Sequence, residues 1–403
     1  MMMPFLSLPR RTSRIRAFLA VASIFVPFGT LPRAGAAVIT AGPALPDFGQ
    51  QWSAVGSPGN RPVNTYENLN DPPNRDIGSV NYEYRIAKTE VTNAQYLEFV
   101  RVYAPFHMET RPDQGPSRAF VGHEIDNAVG DPFDGGNYYI TGNPNAPATM
   151  AWEFAARYAN WLHNGKQTDR AAFESGVYDT STFTFNPDGT GNTQLTRSPG
   201  ASVWIPSVDE WVKAASWDPN KVNPDGSVGG YWRFLGSRQT PLPAGRPENG
   251  GLTNRGLGVP FGPGGPDSVG SYPNVVSPWG LLDTSGGVSE YTESTNSPGL
   301  NRGRIVMGSA FRYGGATIPH NDGGFNLAFA DTTALLGGGG NGLRLASFVP
   351  TPGGGVALGF GAWFIVGSRR RGHALSRSAT PAAVRGGNGV GGPDGRQPGR
   401  DHA

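Results

Sequence analysis

The chain has 403 residues, enough for one large domain or two modest ones, and Gly 60 with Pro 36 make up roughly a quarter of it. Trp 9, Tyr 13 and Phe 21 are too many aromatics for a disordered polymer, and Cys 0 excludes disulfides, thiolate metal sites and cysteine nucleophiles. The formal charge of +2 hides five Arg and no acid in residues 1–37, and seven Arg against two Asp in 350–403; between them stand 21 basic and 29 acidic residues. An acidic middle suits cation binding better than phosphate backbones, so no nucleic-acid partner is expected.

In chain order, "RRTSRIR" at 10–16 precedes the apolar run "AFLAVASIFVPFG" and the small residues of "RAGAAV". A basic region, a short apolar region and small residues at the cleavage positions predict a secretory signal peptide over 1–37; the run is too short for a membrane span and is broken by Pro27 and Gly29. Three helices follow. In "KTEVTNAQYLEFVRVY", Tyr96, Phe99, Val100 and Tyr103 form one face, and Thr92 with Gln95 makes a capping box. In "TMAWEFAARYANWLHNG", Trp152, Ala155, Ala156, Ala159 and Leu162 form a stripe, Thr149 is placed to cap the start, and Asn164-Gly165 ends it. In "PSVDEWVKAASW", Ser207 and Glu210 make a second capping box, and Val208, Trp211, Val212 and Ala215 face inward. Beyond them only short runs such as "RIVMG" and "GLRLASF" read as strands, among long loops. Helices first and irregular strands later predict an α+β domain, loop-rich with little regular secondary structure.

These segments, in this order, resemble the sulfatase-modifying factor family, whose founder is the formylglycine-generating enzyme. "YRIAKTEVTNAQYLEFV" resembles its opening strand and helix, and "NAPATMAWEFAARYANWLHNGK" its second helix. "VWIPSVDEWVKAAS" stands where the family has Arg-Leu-Pro-Thr-Glu-x-Glu-Trp, and "GLLDTSGGVSEYTES" where it has Gly-Leu-x-Asp-Met-x-Gly-Asn-Val-x-Glu-Trp-Thr. "RIVMGSAFRYGG" takes the place of Arg-Gly-Gly-Ser, and "NGLRLAS" that of Gly-Phe-Arg-Leu. The resemblance covers residues 48–348 and implies a variant of the C-type lectin fold. After it, "FVPTPGGGVALGFGAWFIVGSRRRG" resembles a PEP-CTERM sorting signal over 349–371, with a disordered Gly/Pro/Arg-rich tail over 372–403. Export to the cell envelope or beyond is expected, with membrane contact only through the terminal segments.

The resemblance also implies a site. In this family the Gly-Leu-x-Asp block wraps a structural calcium ion; carried over, Asp283 and Glu290 supply carboxylates, and Gly286 and Val288 backbone carbonyls. This fits a hard cation that takes oxygen ligands on a turn that glycines allow. A first calcium site is expected near 247–267, with Asn249 and Asp267 as candidates. The copper-binding cysteines of the family fall on Arg312 and Thr317, which supply no soft thiolate, so copper-dependent oxidation is not expected. The family's iron-binding relatives use H-x-x-x-H-x-E; His107 and His123 lack the second His, and His163 reads as a helix-end residue. Ser309, Arg312, Tyr313 and His320 would line a pocket, with Arg344 beneath it in structural hydrogen bonds. Two readings remain: a non-catalytic, calcium-stabilised binding or structural module for an envelope or extracellular glycan or peptide, or an enzyme with altered, cysteine-independent chemistry drawing on His320, Asp322 and Tyr313.

Overall fold

The helices begin where local chemistry says they should. In the computed structural model, which describes residues 46–64, 67, 76–128, 130–185, 191–258, 267–295, 303–311, 328–331 and 341–349, α1 spans Asn93–Glu109 and α5 spans Val208–Ser216. Both open with the capping boxes read from sequence: Thr92 accepts from the Gln95 N–H and Ser207 from the Glu210 N–H, while each partner side chain reaches back to the cap N–H. Between them lie α2 (Arg118–Val121), α3 (Trp152–His163) and α4 (Arg170–Glu174). α3 ends at Asn164 with Gly165 at φ +65, as read, but its start differs. The cap position is Ala151, without a side-chain bond, because the Thr149 hydroxyl instead accepts the His123 N–H at 3.3 Å.

α1 runs through Pro105, which has no N–H for the carbonyl one turn back, that of Arg101. Gly135 packs onto that carbonyl so closely that a Cβ there would lie 1.8 Å from the Arg101 oxygen. Gly135→Ala is therefore expected to destabilise the fold by about 1–3 kcal/mol, the usual cost of overpacking, with helix content retained. Urea denaturation followed by circular dichroism checks this; an unchanged midpoint would show that the loop simply moves aside.

Two four-stranded sheets flank the helices. In the first, Trp52–Val55, Tyr84–Ala87, Ala346–Ser347 and Val203–Trp204 are adjacent in that order and antiparallel. In the second, Ala328–Asp331, Gly303–Met307 and Ser289–Thr295 are antiparallel, and Asn341–Gly342 adds a short parallel edge. Residues 341–347 thus run from one sheet to the other, and Arg344, the middle of the three residues between the strands, is wholly buried. Of "GLRLASF" Gly342 belongs to the second sheet and Ala346–Ser347 to the first; the residues between them leave the ladders, and Arg344 is buried there. A hairpin, Trp217–Val222 with Val228–Tyr231, stands apart from both sheets.

The core is aromatic. Phe99 stacks on Tyr103 with centroids 5.3 Å apart, and Trp152 meets Tyr178 and Tyr291 edge-on. All described residues fall within one compact unit, Met1–Val356. The signal segment, the tail and all of the sorting segment after its first residue lie outside the described residues, as do Arg312, Thr317, Tyr313, His320 and Asp322. Among the described residues no helix is long and apolar enough to cross a membrane.

Candidate functional site

The loop at 280–290 is a run of bends before the strand Ser289–Thr295, and three other segments fasten it. The Thr253 hydroxyl donates to the Ser285 carbonyl (2.9 Å), and the Gly286 N–H donates to both the carbonyl (3.0 Å) and the hydroxyl (3.1 Å) of Ser309. The Gly287 N–H donates to Asn254 Oδ1 (2.8 Å), and the Phe311 N–H to the Gly287 carbonyl (3.0 Å). Gly287 has φ +61, and a Cβ there would lie 2.1 Å from Glu90 Oε1; both the conformation and the contact require glycine. Asp283 itself takes a left-handed φ of +54, and its Oδ2 accepts the Gly270 N–H at 2.5 Å.

Glu290 is 1% exposed and bonded on both oxygens. Arg344 donates through Nε to Oε2 (2.8 Å) and through Nη2 to Oε1 (2.6 Å), and the Trp211 indole N–H donates to Oε2 (2.6 Å). The same guanidinium bonds the carbonyls of Ala87 and Leu282, each at 3.0 Å. Arg344 thus ties the first sheet, the 280–290 loop and the second sheet together through one planar group, for which its five-donor fork is suited. The expected ligand Glu290 is first of all the partner of Arg344.

A third carboxylate joins them. Glu90 is wholly buried, 3.8 Å from Arg344 at its nearest, and among the described residues its Oε2 has no hydrogen-bond partner. Burial, reinforced by the neighbouring Asp283 and Glu290 charges and opposed by Arg344, pushes the Glu90 carboxyl well above the usual range. Burial likewise raises Asp283, against its bond from Gly270 and the charge of Arg344. Three buried carboxylates therefore share one buried cation.

The other expected positions are distributed as follows. Ser309 is buried, and its hydroxyl is engaged with the Gly286 N–H and with Ser285 Oγ at 3.2 Å. Asn249 lies in a separate 3-10 turn, Pro247–Asn249. Asp267 pairs with Arg246 (2.9 Å) and accepts from the Asn254 amide (3.2 Å). Asn254, unread in the sequence, is the residue that joins Asp267 to the Gly287 backbone; its only sequence signal is its place in "GGLTNRG" ahead of the loop. Among the described residues no group of three or more His, Asp or Glu side chains is placed to hold a metal ion. A cation here would depend on backbone carbonyls as much as on side chains.

The sequence matches the profile of the FGE-sulfatase family, described as a sulfatase-modifying factor enzyme 1-like domain, over residues 53–325, more than half of the chain. The chain belongs to this family. It is a sulfatase-modifying factor-type domain of mixed α/β, loop-rich architecture without a single cysteine, so the copper site that the family builds from two cysteines is absent. Comparison with curated proteins found no match. Solved structures similar to this family member include CarF, at 17% identity over 76% of this chain and 99% of that chain with a TM-score of 0.43. Treponema denticola variable protein 1 overlaps at 16% identity, 74% of this chain and 95% of that one, TM-score 0.39. PvdO from Pseudomonas aeruginosa overlaps at 14% identity, 77% of this chain and 99% of that one, TM-score 0.38.

Proposed function

We propose that this family member is exported and non-catalytic, and serves as a calcium-stabilised binding or structural module at the cell envelope on a lectin-type scaffold. The observation that carries the calcium part is the crowding of Glu90, Asp283 and Glu290 around one buried guanidinium, which raises the Glu90 and Asp283 carboxyls. A divalent cation held by Asp283 and the carbonyls of Gly286 and Val288 would take the place of the protons that these raised carboxyls otherwise hold, and such oxygens are what calcium takes. Glu290 would support the site through Arg344 rather than as its leading ligand.

Metal analysis of the purified protein is expected to find about one calcium per chain and neither copper nor iron. Chelation should lower the melting temperature by roughly 5–10 °C, the equivalent of about 2.7 kcal/mol at a hundredfold ligand excess. A metal-free protein with an unmoved melting point would sink this reading.

The ligand class favoured is a glycan. A cavity of about 700 Å³ lies beside the 217–231 hairpin, with polar and charged residues in its lining, among them Arg61, Asp225, Arg233 and Gln239. A glycan array without hits, followed by peptide hits, would move the ligand to the peptide class. The second reading, an enzyme with cysteine-independent chemistry, is supported by Glu293, a buried carboxyl pushed up to about 7 by burial.

A further inference from the structure

A second cavity, of about 340 Å³, opens between the last turns of α1, the loop leading to α2, and α3. Tyr103 and Phe154 are among its apolar residues; His107, Arg111, Ser117 and Arg157 are among its polar ones, together with the carboxylate of Glu153. None of these residues belongs to the 280–290 loop, so the cavity is independent of any calcium bound there.

The polar side is built rather than incidental. His107 is 6% exposed, its ring centroid lies 4.4 Å from that of Phe120, and Ser117 Oγ lies 3.3 Å from its Nε2. Burial first, then the charges of Arg111 and Arg157, hold its pKa down to about 4, so it is neutral at physiological pH. The positive field therefore comes from the two arginines. Arg111 spends an Nη on Gln114 (2.6 Å), and Arg157 spends Nη1 on the Glu153 carboxylate (2.7 Å) and carbonyl (3.1 Å). Each is left with a buried Nε that has no hydrogen-bond partner among the described residues. A buried, unpaired guanidinium N–H is costly, so neither arginine is fully served by the protein around it, and both line this one cavity. Two guanidiniums against the single carboxylate of Glu153, with a neutral imidazole, leave the site one positive charge in excess.

We propose that this cavity binds a small organic monoanion, an aryl carboxylate, with its carboxylate toward Arg111 and Arg157 and its ring against Tyr103 and Phe154. The guanidinium fork matches a carboxylate in geometry and charge, and the cavity volume sits at the small-ligand end of the usual range.

Phenylacetate is titrated into the purified full chain while the His107 ring signals, assigned by their loss in His107→Asn, are followed by NMR. Phenylacetamide, its neutral isostere, and inorganic phosphate are run alongside. Saturable His107 shifts are expected with phenylacetate, and binding at least about tenfold tighter than that of phenylacetamide. Arg111→Gln, at a partly exposed position just past the end of α1, should weaken phenylacetate about tenfold. Arg157→Gln should do the same, and its melting curve separates lost binding from lost folding. Equal affinity for the amide would mean an apolar pocket without charge recognition, and equal affinity for phosphate an inorganic-anion site. Either result overturns the proposal, as does the lack of any His107 shift up to about 10 mM phenylacetate, or unchanged binding in Arg111→Gln.

Discussion

Arg344→Ala is expected to destabilise the protein by about 3–5 kcal/mol, the cost of breaking a buried ion pair from one side. The guanidinium is wholly buried and bonds Glu290 twice, so its removal strands that carboxylate with, among the described residues, the Trp211 indole as its remaining side-chain donor. Glu90, already short of a partner, loses its nearest positive charge, and the Ala87 and Leu282 carbonyls lose a donor each. Because these groups sit in both sheets and in the intervening loop, the loss should be cooperative, with one denaturation midpoint shifting rather than a separate early transition. Arg344→Lys should recover only part of it, since a point charge cannot serve Glu290 bidentately and two carbonyls at once. Chemical denaturation of the three proteins in parallel gives the answer. A loss below about 1 kcal/mol for Arg344→Ala, the range of exposed pairs, would mean that water enters and solvates the carboxylates.

The same residue shows what a sequence can and cannot say here. The two capping boxes were legible because Thr92 with Gln95 and Ser207 with Glu210 are local, and the chain need only turn once to satisfy them. The start of α3 was not legible, because the Thr149 hydroxyl is claimed by the His123 N–H, 26 residues away. The site divides along the same line. Asp283 and Glu290 stand out in the glycine-bearing loop, but Glu290 is bonded to a residue 54 positions later, and Glu90 reads only as the approach to α1. Asn254 carries no pattern of its own; its meaning comes from Asp267 and from the Gly287 N–H, which only the folded loops bring to it. His107 lacked a second histidine at metal spacing, and its two neighbouring arginines come one from its own helix end and one from α3.

Glu293 should contribute a loss of stability as the pH rises from about 4.5 to about 7, set against the opposite contribution of His107, whose folded pKa of about 4 favours the native state as the pH rises towards 6.5. Its carboxyl is pushed up to about 7 by burial first; the Arg197 guanidinium opposes this, and the Glu210 carboxylate adds to it. Arg197 is shared: one Nη donates to Glu293 at 2.6 Å while the other donates to Glu210 at 2.9 Å, so a single cation serves two buried acids. A group whose folded pKa lies above its unfolded value, 4.5 here, binds its proton more tightly in the native state. Its contribution is therefore fully present below about 4.5 and is lost as the pH passes through about 7, by about 3 kcal/mol in all. Glu293→Gln keeps the shape, removes the titration and leaves Arg197 to Glu210 alone. Denaturation midpoints taken from pH 5 to 8 should show the parent chain losing stability relative to the variant as the pH rises, with the two diverging most at the alkaline end. Parallel profiles would place the proton elsewhere, and would also remove the observation that favours the enzymatic reading, since a carboxyl that does not titrate near neutrality holds no proton to transfer there.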